Sequence, residues 1–139
     1  MTDPFSDAAH SGVYRAASAE EVLAAAYGRG LHVARVALAG RADKPRLLGA
    51  LAAALEFPEW FGGNWDALED CLTDLSWIES EGHLILFEGC GGLASEDSGV
   101  LREVLASAAE FWSGHGRPFY AVFVAGPDSL PALGSATKA

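Results

Sequence analysis

Apolar positions recur along this chain with two different periods, and the switches between them mark out its elements. Residues 31–39 (L-H-V-A-R-V-A-L-A), 83–88 (H-L-I-L-F-E) and 119–125 (F-Y-A-V-F-V-A) are short runs rich in branched and aromatic side chains, and they predict strands. The second run is almost unbroken in its apolar character, as a strand covered on both faces requires. Elsewhere the spacing widens to three and four. Leu47, Leu48, Leu51 and Leu55 predict one face of a helix that Asp43 caps and whose first turn tolerates Pro45. Val100, Leu101, Val104, Leu105, Ala108, Phe111 and Trp112 predict the buried stripe of a long helix over residues 97–112. Near the start, residues 13–17 predict a short edge strand. Ser18 with Glu21 predicts a capped helix over 19–27, packing Val22, Leu23 and Tyr27 inward. Strands separated by helical runs imply crossovers, a parallel sheet and the α/β class.

The stretch around which the rest is organised is residues 60–75, W-F-G-G-N-W-D-A-L-E-D-C-L-T-D-L. Asn64 stands where an N-cap should be, and neither proline nor glycine interrupts 65–75, so a helix is expected across that span. Each step along it turns a side chain by about 100°. Trp65, Leu68, Leu72 and Leu75 then form a core-facing ridge. Asp66, Glu69, Asp70 and Asp74, with Thr73 among them, share a neighbouring exposed strip. Asp66 in the first turn is favoured by the helix dipole alone. The loop ahead, with Trp60 and Phe61 beside Gly62 and Gly63, adds a shaped aromatic surface.

Composition narrows the picture. In 139 residues, 19 Asp and Glu against 9 Lys and Arg leave a formal charge of −10. That sign disfavours direct binding to nucleic acid or an anionic membrane and suits a basic protein partner. The first residues lack a basic end followed by an apolar run, so no secretory signal is read, no run spans a membrane, and a cytoplasmic location is expected. Cys71 and Cys90 are too few for a disulfide framework, and His10, His32, His83 and His115 give no ligand spacing. No metal, cofactor or catalytic residue is therefore assigned. Gly89-Cys90-Gly91-Gly92 lacks the lysine and spacing of a phosphate loop.

The run F-P-E-W-F-G-G-N-W-D-A-L-E-D-C-L-T-D-L resembles the central motif of the barstar family, the intracellular inhibitors of barnase-like ribonucleases. The close likeness covers residues 57–75, and a looser one extends over 31–124. It implies a small three-stranded parallel sheet packed with helices, to which this chain adds an N-terminal helix. It also implies an inhibitor that presses the helix and its loop into a nuclease active site. By position, Asp66 and Asp70 match the family's inhibitory aspartates, Trp60 its loop aromatic, and Asn64, Trp65 and Thr73 its neighbouring contacts. Glu69 stands where the family pattern has a tryptophan, Asp74 where it has a glycine, and Leu75 where it has a second tryptophan.

The expected layout is a flexible N-terminus over 1–12, one barstar-like domain over 13–125 and a flexible tail over 126–139. The expected partner is a basic, secreted ribonuclease of barnase type, or a related toxin, bound one-to-one by a monomer. Arg binds carboxylate in the forked geometry it uses for phosphate, so an acidic helix can imitate an RNA backbone. Asp70, central in the strip, is expected to reach deepest, with Asp66 flanking it, Glu69 and Asp74 adding charge and Trp60 and Trp65 anchoring the edge. Two other classes compete: a module of this shape that binds a different toxin or regulator without inhibiting a nuclease, and an enzyme dividing acid and base work between carboxylates. The latter needs a cleft and unequal environments, which neighbours on one convex face do not offer.

Overall fold

A computed structural model describes residues 11–28, 30–38, 43–59, 61–126 and 129–133. The elements among them follow the alternation read from the sequence. They are β1 (Gly12–Ala16), α1 (Ala19–Ala26), β2 (Leu31–Ala37), α2 (Lys44–Ala54), α3 (Trp65–Leu72), β3 (Gly82–Glu88), α4 (Ser95–Gly114) and β4 (Phe119–Val124). The sheet runs β1-β4-β3-β2 with every pair parallel. It has four strands where the family likeness implied three. The extra one is β1, which pairs with β4 so that Val13 lies opposite Ala121. Tyr14 is buried against Tyr120, ring centroids 6.1 Å apart, and that burial seats the strand.

Helices cover both faces. On one side α2, α3 and α4 bring Leu47, Leu51, Leu68, Leu72, Leu101 and Leu105 onto Ile85, Phe87 and Phe119. On the other, α1 brings Val22 and Ala26 onto Leu84, Leu86, Tyr120 and Val122. Residues 84–87 of β3 are thus buried on both sides, which accounts for the strand's nearly continuous apolar sequence. The caps fall where they were read: Ser18 accepts from the Glu21 N–H at 3.2 Å and Asp43 from the Arg46 N–H at 3.0 Å. At the end of β3 the chain turns through Gly89 with φ +76°, and a Cβ there would run into the Leu38 carbonyl oxygen. The glycine run thus opens on a turn only glycine can make.

Several expectations need correction. Tyr27 does not pack inward; it is 87% exposed, because α1 ends at Ala26 and Tyr27 is already extended at the C-cap. Phe111 lies on the outer side of the α4 stripe, stacking on His115 at 4.4 Å, while Trp112 takes the buried position. α4 also starts earlier than expected, at Ser95, with no side-chain cap at Ala94. α3 stops at Leu72 instead of reaching 75. In the segment expected as a tail, residues 129–133 lie along β1. The Pro131 carbonyl accepts the Arg15 N–H at 2.9 Å, and Leu130 is buried. Residues 1–10 and 134–139 lie outside the described residues.

Candidate functional site

Asn64 starts α3 by accepting the Ala67 N–H on its Oδ1 at 2.8 Å, after Gly63 has turned the chain with φ +70°. From there Leu68, Cys71 and Leu72 point inward and are fully buried. The Trp112 indole N–H donates to the Leu72 carbonyl at 2.7 Å, tying the last turn of α3 to α4. One face is therefore fixed by packing and by a bond that satisfies a helix-end carbonyl.

The opposite face carries Asp66, Glu69 and Asp70, all exposed. Among the described residues none of these carboxylates has an ion pair or a side-chain hydrogen bond. Their charge is displayed to solvent, with no internal partner to remove before an arriving cation could bind.

Asp74 departs from the expected strip. Thr73 closes the helix, its hydroxyl donating to the Glu69 carbonyl at 2.9 Å. Leu75 then takes φ +50° and drops into the core. The helix thus ends before Leu75, which reaches the core from a turn and not from a helical position. Asp74 is left on the turn, with Oδ1 accepting the Ser76 N–H at 3.3 Å. It stays exposed but is already engaged.

Trp65 is half-buried on the main core, and the Lys44 ammonium lies 5.4 Å from its ring centroid. The place of Lys44 over Trp65 depends on how α2 meets α3, which sequence spacing does not encode. Arg41 and Trp60 both lie outside the described residues. Phe61 turns toward the core and packs on Phe57, centroids 4.8 Å apart. Lys44, Leu48, Phe61 and Gly63 help line a cleft of about 500 Å³ between α2 and the loop.

Cys71 offers no nucleophile. Burial first, then the nearby Asp70 and Asp74 charges, push its thiol up to about 11. Histidines gather elsewhere: His83 lies 5.7 Å from Trp112, His32 6.0 Å from His83, and His115 6.4 Å from Trp112. Among the described residues no three His, Cys, Asp or Glu side chains could hold a metal, and no helix is long and apolar enough to cross a membrane.

Comparison with known families shows to which family the chain belongs. A family model described as Barstar (barnase inhibitor) matches residues 31–124. The chain belongs to the barstar family. No curated protein matches it as a relative. The barstar match opens on β2 and closes on β4, so β1 and α1 stand outside it, as does the packed stretch 129–133. A barstar domain suggests a barnase-like inhibitor or a related binding module rather than an enzyme. The acids of α3 stand on the outer face of the helix, with no ion-pair partner among the described residues.

Proposed function

We propose that this protein inhibits a small basic ribonuclease one-to-one in the cytoplasm, using a single domain over 13–125. The observation that carries the reading is a helix whose inner face is locked and whose outer face bears three carboxylates, Asp66, Glu69 and Asp70, that are unpaired among the described residues. A ribonuclease active site must hold a phosphodiester, so it presents Arg, Lys and His. Asp70, in mid-helix, enters deepest, and Asp66 flanks it. Glu69 adds charge where the family pattern places a tryptophan. Asn64, Trp65, Thr73 and Asp74 form the surround, and Trp60 joins them by its place in the motif. Aspartate suits the task because its short side chain loses little entropy on binding.

Glu69 and Asp74 also favour a second reading, a barstar-like module that meets a different toxin. Both residues change the chemistry of the strip from aromatic or neutral to acidic. One experiment separates the two: capture with a panel of small secreted ribonucleases, followed by an RNA-cleavage assay. Capture with loss of cleavage supports inhibition, and failure to bind any of the panel favours the second reading. With a charge of −10, association with a basic nuclease should slow as salt rises, and a salt-independent on-rate would remove steering from the account.

A further inference from the structure

A cavity of about 470 Å³ opens at the carboxyl ends of β3 and β4, between the turn after β3, the start of α4 and the end of β4. In open parallel sheets that end of the strands is where ligands collect. The volume falls within the range of small-molecule sites, roughly 300–1,000 Å³. Leu93, Phe123 and Leu130 give it an apolar floor, all three buried. Cys90 flanks the floor, and its thiol, pushed up to about 11 by burial, is a neutral wall. Among the described residues, one cation lines the space. Arg102 is half-buried and has no ion pair or side-chain hydrogen bond among the described residues. Ser98 stands beside it with a hydroxyl. Among the described acids nearby in sequence, Glu88 is taken by Arg35 at 2.8 Å, and Glu96 and Asp97 do not line the cavity; Asp128 lies outside the described residues. No lining residue belongs to α2, α3 or the loop between them, so the cavity is independent of the acidic strip.

We propose that this cavity binds a small aromatic monocarboxylate, its ring on the apolar floor and its carboxylate on Arg102. A single guanidinium matches a single carboxylate in forked geometry. A phosphate ester would bring nearly two charges to one cation on a chain already at −10. The ring preference follows from Phe123, which lines the cavity and is stacked on Phe87 at 4.5 Å and 9°.

The test is a titration of the full-length, ¹⁵N-labelled protein with 3-phenylpropionate, following the amide resonances of Leu93, Ser98 and Gly126. Saturable shifts are expected with a Kd of roughly 0.1–1 mM, the affinity such a small ligand can reach. The uncharged 3-phenylpropanamide, and the acid against Arg102→Gln, should each bind at least about tenfold more weakly, as loss of one charged hydrogen-bonded contact requires. Comparing acid with amide uses the wild-type protein, so it decides the matter even if Arg102→Gln folds poorly. No saturable shift up to about 10 mM, far beyond the expected Kd, overturns the proposal, as does equal binding of acid and amide. Hexanoate binding as tightly as 3-phenylpropionate overturns the aromatic assignment.

Discussion

Two sets of polar side chains lie on either side of one tryptophan, and the protein treats them in opposite ways. Trp112 donates its indole N–H to Leu72 at the end of α3, and its ring packs on His83 at 5.7 Å. On the α3 side, Asp66, Glu69 and Asp70 are exposed and uncommitted. On the β3 side, His83 is 2% exposed and faces His32 across the β2–β3 pair. The Nδ1 atoms of both rings are buried with no hydrogen-bond partner among the described residues. Displayed charges cost the fold little because water solvates them. A buried, unpartnered imidazole nitrogen costs desolvation, and at His83 burial disfavours the charged ring. The difference separates a surface suited to recognition from a corner whose chemistry bears on stability.

The largest test of that division is Asp70→Ala. Removing one member of a desolvated, hydrogen-bonded charge pair costs about 2–5 kcal/mol, so inhibition should weaken at least about 30-fold. That range comes in part from the barnase–barstar pair itself. The urea midpoint should stay nearly unchanged, because the Asp70 carboxylate is exposed and makes no hydrogen bond or ion pair among the described residues. Unchanged potency in a titrated RNA-cleavage assay would break the assignment of the strip.

The buried corner should answer to pH instead. Burial first, then His32 and Arg117, hold His83 down at about 4 from its ordinary 6.5. The unfolded chain therefore binds a proton that the native state refuses between those values. Stability from this group is full above pH 6.5 and is lost as pH falls toward 4, by roughly 3 kcal/mol in all. Urea melts at pH 7 and pH 4.5 should register most of that loss. In His83→Phe the drop should shrink by that amount, and an equal drop in both proteins would clear His83 of the effect.

Trp112→Phe probes the joint between the two regions. It keeps an aromatic ring beside His83 but leaves the Leu72 carbonyl without its donor, at a cost of about 1–3 kcal/mol. Thermal or urea melts should detect the loss, while potency should change less than about threefold, because most of the α3 anchor is burial of Leu68, Cys71 and Leu72. A loss of potency matching that of Asp70→Ala would mean that the strip depends on this one bond.

How much of this was legible in the sequence follows from range. Local chemistry could be read: the Ser18, Asp43 and Asn64 caps, the leucine face of α2 and the doubly covered β3 each follow from residues within a turn or two of one another. What depended on distant partners could not. His32 and His83 look scattered along the chain, and only the parallel register sets them opposite each other. The small-residue stretch near the C-terminus gave no sign that Leu130 is buried. β1 reads as an edge strand, but its place beside β4 rests on Tyr14 meeting Tyr120. The end of α3 was misplaced because a leucine, Leu75, takes the left-handed conformation that glycine usually announces. In the site, the acidic face followed from the helix period, whereas the pairing of Lys44 with Trp65 required the packing of two helices.

The smallest expected effect belongs to Asp74, which sits between the two classes. It is exposed like the strip, yet its carboxylate already accepts the Ser76 N–H, and at 3.3 Å that bond is long. If freedom of the carboxylate is what suits a side chain to the partner, Asp74→Asn should shift inhibition by less than about threefold, the scale of an exposed ion pair. Stability should move by no more than about 0.5 kcal/mol, since the amide oxygen can accept the same bond. Paired cleavage assays and melts on the two proteins measure both. A loss as large as that of Asp70→Ala would show the partner reaching beyond the helix onto the turn that Leu75 creates. Position along the chain, rather than freedom from internal bonds, would then decide which acids act.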